Sequence, residues 1–443
     1  MTSILIREVL LGNQVVDVLI QDGRFAETGP ELDLEHEPSQ VIDGRNKAIF
    51  PSFVNSHTHA AMTLLRGYAD DLELYTWLND HIWPFESRLT FNDVYIGAKL
   101  ACLEMIKSGT TLFSDMYWHM PATAKAVSEM GIRAALSSVF IDFNDPAKAK
   151  QFRSRTRKFF AGHENNERIL YTLGPHGVYT VSEESLTWIA EFARQNDILI
   201  HIHVSETRRE VMDCQEKHGL RPVEYLESIG FLGPNVIACH SIWVNDREMD
   251  ILAANGVKVV HNPVSNMKLG SGVFPFKEMY KRGICIGLGT DGCSSNNNLD
   301  MLEEMKVAAL MAKLSSYNGL VLPSGILDLV EQNFSERINP DLTSFTAKQA
   351  LECATENGAR IFGLDLGRIA TGMLADCILI DLDHYTLIPR HDLTSNLVYS
   401  ASSECVDTTI CNGRVLMQGR KVPGEEQIIE EIKDWEKNLK NRP

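Results

Sequence analysis

Between residues 53 and 291, apolar runs of strand length alternate with helical stretches, and there are eight such runs. They begin at Phe53-Val54 and continue as Thr110–Asp115, Arg133–Ile141, Ile169–Pro175, Ile198–Val204, Val236–Ser241, Val257–Asn262 and Ile284–Asp291. Short apolar runs bounded by helix punctuation read as buried parallel strands. Thr90-Phe91-Asn92-Asp93 has the form of a capping box, and the helix it opens is expected to stop at Gly109. Eight strands separated by helices predict an α/β fold, a (β/α)8 TIM-like barrel. Such a barrel takes about 250 residues, so a chain of 443 leaves room for enlarged loops and a companion domain.

The chain ends supply that companion. Ile4–Leu11 and Val15–Ile20 flank a Gly12-Asn13 turn, Gln21-Asp22-Gly23 makes the next turn, and Lys47–Phe50 leads into the first barrel strand. The same texture returns in Ala375–Asp381, Thr408–Cys411 and Arg414–Gln418, with Gly372 and Asn412-Gly413 as punctuation. Neither end can bury a sheet alone, because isolated hairpins are marginal in water. The expectation is one small β-sandwich domain built from residues 1–50 and 366–443, with a terminal helix. Residues 51–365 form the catalytic barrel inserted between them.

In a barrel of this kind the active site gathers at the carboxyl ends of the strands. Those ends carry Ser56-His57-Thr58-His59, Ser114-Asp115, Gly174-Pro175-His176, His203-Val204-Ser205-Glu206, Cys239-His240, His261-Asn262 and Thr290-Asp291. A lone histidine at a strand end is commonly a satisfied structural residue, and a bare His-x-His pair reads as part of a polar turn. Core packing, however, would not place ionisable residues so regularly at one end of apolar strands. In an extended chain His57 and His59 share one face, which makes them a natural chelate for zinc or a similar divalent ion.

The stretches PSFVNSHTHAAMTLLRGYADDL, HIWPFESRLT, SGTTLFSDMYW, GPHGVYTVS, HIHVSETRREV, ACHSIWV, VVHNPVSNMKLGSGV and GLGTDGCSSNNNLDMLEEM carry a resemblance across the whole chain. It resembles the amidohydrolase superfamily, and within it the 5′-methylthioadenosine/S-adenosylhomocysteine deaminases. The resemblance implies that His57, His59, His203 and Asp291 hold one divalent metal per subunit, expected to be zinc. It implies Glu206 as the proton carrier, with His240 and Asp291 as its catalytic partners. Glu86 is implied to bind ribose hydroxyls and His176 the purine or ribose edge, with Glu206 and Asp291 also meeting the substrate. His201 repeats the His-x-His spacing with His203 and is a rival ligand, but the family motif places the ligand at the second histidine. A bridging lysine for a second metal is expected on the fourth strand, and Arg168–Gly174 has none.

The implied reaction is hydrolytic deamination of an adenosine-type nucleoside, releasing ammonia. The alternative is deamination or dechlorination of a free base or an s-triazine by the same machinery. A non-catalytic scaffold would be expected to lose ligands, and here every expected ligand is present. The zinc deaminases of nucleic-acid bases carry a His-x-Glu and Pro-Cys-x-x-Cys signature that this chain lacks. Members that take S-adenosylhomocysteine clamp its carboxylate with arginines after the third strand. Here Ser137-Ser138 stands where the first is expected, with Lys150, Arg153 and Arg155 as substitutes from the following segment.

A formal net charge of −17 argues against nucleic-acid and anionic-membrane partners. Nine cysteines without a Cys-x-x-Cys pair argue against a disulfide framework and fit a reducing compartment. No signal peptide and no transmembrane run is expected, which reads as a cytoplasmic protein. A small-molecule substrate and a homo-oligomer are the expected partners.

Overall fold

The computed structural model describes residues 3–34, 36–163, 165–316 and 341–439. Parts of the expected barrel span (317–340) and of the chain's end (440–443) lie outside the described residues. The N-terminal segment folds into five strands: β1 (Ser3–Leu11), β2 (Gln14–Gln21), β3 (Arg24–Gly29), β4 (Gln40–Asp43) and β5 (Lys47–Pro51). β1 and β2 form the hairpin that the Gly12-Asn13 turn predicts, with Leu11 opposite Gln14 and Ser3 opposite Gln21. β4 has no counterpart among the sequence expectations; it is a four-residue strand docked parallel to β1.

Eight parallel strands then build the barrel. They are β6 (Phe53–Thr58), β7 (Thr110–Tyr117), β8 (Arg133–Phe140), β9 (Ile169–Pro175), β10 (Ile200–Val204), β11 (Val236–His240), β12 (Lys258–His261) and β13 (Ile286–Leu288). Every residue of β6, β7, β10 and β11 is buried, as expected for strands covered on both faces. β13 lies beside β6 and brings the last strand round to the first. Glycine makes that approach available: a Cβ at Gly287 would come 2.7 Å from Ser56 Oγ. The capping box is present, with Asp93 Oδ2 accepting from Thr90 N at 2.8 Å. Its helix, Phe91–Ser108, stops at Gly109 in a left-handed conformation with φ 89°. The enlarged loop after β6 carries helical turns over 74–86 that hang Trp77, Trp83 and Glu86 over the barrel mouth.

The chain returns through β14 (Cys377–Asp381), β15 (Val406–Cys411) and β16 (Arg414–Met417). These join the N-terminal strands in one connected sheet of order β16-β15-β14-β5-β1-β2-β3, with β4 paired to β1. Phe25 N donates to Met373 O at 3.0 Å, so β3 comes back to the segment that leads into β14. The sheet thereby rolls around a core of Ile4, Ile6, Val18, Ile20, Phe25, Ile42, Ile49, Leu379 and Ile410. The terminal helix, Glu425–Leu439, packs on Phe91–Ser108. All nine cysteines are unpaired, and among the described residues no helix is long and apolar enough to cross a membrane.

Candidate active site

The carboxyl ends of the barrel strands converge on one point. His57 and His59 flank the last residue of β6, and their Nε2 atoms lie 3.3 and 3.2 Å from Asp291 Oδ1. His203 comes from β10 and His240 from β11, with ring centroids 4.9 and 5.6 Å from that of His57. The parallel register pairs Val204 with His240 and so sets these two histidines side by side. Three sets of side chains could hold a metal ion, His57–His59–Asp291 and His57–His203–His240 at the strand ends and His57–His201–Cys239 just beneath them, each with its ligand atoms within 4.8 Å of one another. His57 belongs to all three.

The backbone is held in costly shapes at this end. Ser205, His240, Ser241 and Asp291 are all left-handed, with φ of 52, 68, 48 and 61°. Non-glycine residues in this region cost energy and persist only when their surroundings over-determine them. Asp291 N donates to His57 O at 3.0 Å, and Ser241 N to Val204 O at 2.9 Å. The Glu210 carboxylate accepts from both Ser205 N and Glu206 N, each at 2.8 Å. Burial pushes the Glu210 carboxyl up to about 7 against those two amides. The turns are thus pinned so that Glu206 and Asp291 face the histidines.

Asp291 Oδ2 accepts from Ser265 Oγ at 2.7 Å and from Ser295 Oγ at 3.1 Å. Burial alone would raise its carboxyl, but His57 and His59 outweigh burial and hold it well below the usual range. Burial lowers His57 to about 4, against the pull of Asp291. Burial pushes the Glu206 carboxyl up, with His240 opposing from 3.9 Å. Ser271 Oγ donates to Glu206 Oε1 at 3.3 Å.

These residues fit a divalent metal. His57 Nε2 is buried without a hydrogen-bond partner, while Nδ1 of the same ring faces His201. With the proton on Nδ1, a nitrogen lone pair and a carboxylate oxygen face each other at 3.3 Å. A cation resolves that conflict. Three imidazoles and a carboxylate are a donor set suited to zinc, with room for a water.

Glu86 lines the same cavity, over His59, His203, Glu206, His240 and Asp291. Trp118 Nε1 donates to Glu86 Oε2 at 2.9 Å, whereas the buried Oε1 makes no hydrogen bond of normal geometry and is left to a weaker interaction with Tyr117. Burial pushes this carboxyl up, with Trp118 and Tyr117 opposing. His176 anchors Nδ1 at Thr180 Oγ1, 3.1 Å away, and burial lowers it to about 3. Trp83 stands edge-on to Phe143 and His176, at centroid distances of 5.6 and 6.2 Å.

The structure therefore brings together His57, His59, His203, Asp291, Glu206, His240, His176 and Glu86. Other strand-end residues from the sequence set serve packing. His261 stacks on Phe274 at 4.3 Å, and Asp115 Oδ1 accepts from Ala60 N at 2.8 Å. His201 lies under His57 inside the barrel, fully buried. Sequence reading passed over Trp118, Ser265, Asn266 and Ser295, which bond side chains of the candidate site, and Glu210, which bonds the backbone of Ser205 and Glu206. Asn266, for instance, fixes His240 through Oδ1 and Nδ1 at 2.9 Å. The available signal was position: each sits within nine residues of a strand-end motif or directly after a strand.

Comparison with known proteins agrees with this architecture. The Amidohydrolase family matches residues 48–416. A 5′-deoxyadenosine deaminase of Methanobrevibacter smithii is 44% identical, over 98% of this chain and 99% of that protein. An adenosine deaminase from Xanthomonas campestris, solved with bound zinc, superposes with TM-score 0.85 at 30% identity, over 100% of this chain and 99% of that one. An atrazine chlorohydrolase from Arthrobacter aurescens TC1, complexed with zinc, shares the fold with TM-score 0.86 at 21% identity, over 97% and 99% of the two chains. With the barrel, its converging histidines and a match over most of its length, this chain belongs to the amidohydrolase family.

Proposed function

We propose that this protein is a metal-dependent deaminase that converts the 6-amino group of an adenosine-type nucleoside to a carbonyl and releases ammonia. The observation that carries the reading is Glu206 beside His240 and Asp291 on the floor of one buried cavity. His57, His59, His203 and Asp291 would hold one zinc per subunit, and β9, Ile169–Pro175, offers no lysine to bridge a second. A metal so held would make a water at this site acidic near neutral pH. Glu206, whose carboxyl burial pushes up, would take one proton from the attacking water and give it to the purine ring nitrogen as the adjacent carbon is attacked. His240, braced by Asn266, orients the attack. Asp291 takes the proton released at the attacking oxygen and passes it to the amine as the carbon–nitrogen bond breaks. Steady-state assays with adenosine, 5′-deoxyadenosine, methylthioadenosine, free adenine and an s-triazine test the reading. Ammonia and the inosine analogue are expected from the nucleosides. Turnover confined to the base or the triazine would overturn it.

Glu86 supports a nucleoside over a free base, because its Oε1, without a hydrogen bond of normal geometry, offers the ribose hydroxyls an acceptor. The cavity wall of Leu74, Leu78, Ile82, Val139, Ile141 and Leu269 favours a small apolar 5′ group. The relatives named 5′-deoxyadenosine deaminase point the same way. Ser137 is buried and bonded to Thr172, and Arg153 is paired with Glu184 at 2.7 Å. Of the basic residues after the third strand, Arg155 lines the neighbouring cavity with Ser138, and a tail that it does not clamp would lose about 1–3 kcal/mol, or roughly tenfold to a hundredfold in kcat/KM. A preference for S-adenosylhomocysteine over methylthioadenosine, abolished by Arg155→Ala, would reverse this assignment. The reading extends to a cytoplasmic location, supported by nine unpaired thiols and checked by cell fractionation, and to a homo-oligomer, checked by light scattering.

A further inference from the structure

The three histidines assigned to the metal are held in two different ways. His59 and His203 each turn Nδ1 to a backbone carbonyl, Met116 O at 2.7 Å and His176 O at 2.6 Å. A carbonyl only accepts, so each ring carries its proton on Nδ1 and keeps a lone pair on Nε2. His57 has no such carbonyl. Its Nδ1 lies 2.8 Å from Nε2 of His201, a fully buried ring two residues before His203 on β10, and that Nε2 also lies 2.9 Å from Cys239 Sγ. His201 in turn places Nδ1 3.2 Å from Ser114 Oγ on β7.

Unlike a carbonyl, a histidine can face its neighbour as donor or acceptor. For His57 Nε2 to offer a lone pair, His57 Nδ1 must donate to His201 Nε2. The proton of His201 then sits on Nδ1 and points to Ser114 Oγ. The opposite tautomer of His201 would put the proton of His57 on Nε2, facing Asp291 Oδ1, where it competes with a cation.

We propose that His201 is a positioning residue for the metal centre, which sets the ring orientation and tautomer of His57 through a Ser114–His201–His57 relay. The proposal rests on the reading of His57 as a ligand. Groups that orient a metal ligand in this way are typically worth about 10–100-fold in affinity.

The test is zinc affinity by chelator competition, which needs no turnover, with melting of the metal-free proteins as the check on folding. His201→Leu removes the acceptor and is expected to weaken zinc binding about 10–100-fold. His201→Gln keeps an amide oxygen near the place of Nε2 and should recover most of that loss. Ser114→Ala should weaken binding less than the leucine variant. Unchanged affinity in His201→Leu would overturn the relay. Should that variant not fold, Ser114→Ala decides, and parental affinity there overturns it equally. His57→Ala separates the two claims. Zinc retained without His57 sinks the ligand reading itself, whereas zinc lost there but unaffected at His201 sinks only the relay.

Discussion

Buried charge is handled in opposite ways at the two ends of this barrel. At the seam with the β domain, Arg133 opens β8 and is 1% exposed. Its Nε and Nη2 donate to the two oxygens of Asp376 at 3.0 and 3.2 Å, and Nη2 also reaches Asn412 Oδ1 at 2.8 Å. Its Nη1 donates to Glu167 O, while Asp376 accepts further from Asn412 N. Both charges are matched within the protein. At the mouth, Glu86, Glu206 and Asp291 line a cavity to which, among the described residues, no lysine or arginine contributes. Glu86 Oε1 and His57 Nε2 make no hydrogen bond of normal geometry among the described residues. A matched pair holds two domains together, whereas unmatched groups are complementary to something the protein must bind.

The comparison is sharpest where removing an acid costs chemistry without costing stability. Glu206→Gln keeps size and polarity but cannot move a proton. Turnover is expected to fall roughly 10²–10⁴-fold, the usual contribution of a general acid–base group. Metal content and melting temperature should stay at parental values. A variant within a few-fold of parental kcat would show that Glu206 is a bystander.

The converse holds at the seam. Asp376→Asn leaves Arg133 buried beside a neutral partner, which costs about 3–5 kcal/mol when such a pair is broken. Denaturant unfolding should register that loss, while kcat per folded, metal-loaded molecule stays unchanged. A loss of turnover without loss of stability would dissolve the division between the two ends.

Glu86→Gln tests the mouth more gently. Its effect should be confined to kcat/KM for ribosides, by about 1.5–3 kcal/mol, the worth of hydrogen bonds to a charged group. A 2′,3′-dideoxy nucleoside should be handled alike by parent and variant. An equal penalty on both substrates would remove the ribose from the role of Glu86.

How much of this was readable from the sequence follows the range of the interactions involved. The eight barrel strands and the Thr90 capping box are local patterns, and both stand where the pattern put them. Ionisable residues repeated at the strand ends marked the candidate site, and the resemblance to a known family chose the proposed ligands and acid among them. The pairing of Arg133 with Asp376, 243 residues apart, has no local signature. Nor does the contact of His57 with His201, 144 residues apart, since it depends on the barrel closing. Four-residue β4 escaped because a strand that short carries too few alternations to register. Glu210 escaped because its role lies in two backbone amides, which every sequence possesses.

The smallest expected effect concerns charge that is only partly withdrawn from water. Lys99 and Glu431 join the helix Phe91–Ser108 to the terminal helix at 2.9 Å, with side chains 11% and 32% exposed. The Lys99 stem is packed, so Lys99→Met keeps the apolar contact and removes only the ammonium. The carboxylate of Glu431 remains open to solvent and needs no other partner, so this pair lacks the penalty that makes the Arg133 pair so costly to break. A double-mutant cycle with Glu431→Gln should give a coupling of about 0.2–1 kcal/mol. That coupling should shrink as salt rises, because the Debye length falls from roughly 30 Å at 0.01 M to 3 Å at 1 M. A coupling near that of Arg133 with Asp376, insensitive to salt, would mean that burial is not what separates strong pairs from weak ones in this protein. A coupling that is small and salt-sensitive would leave the seam as the place where matched charge carries weight, and the mouth as the place where unmatched charge awaits a ligand.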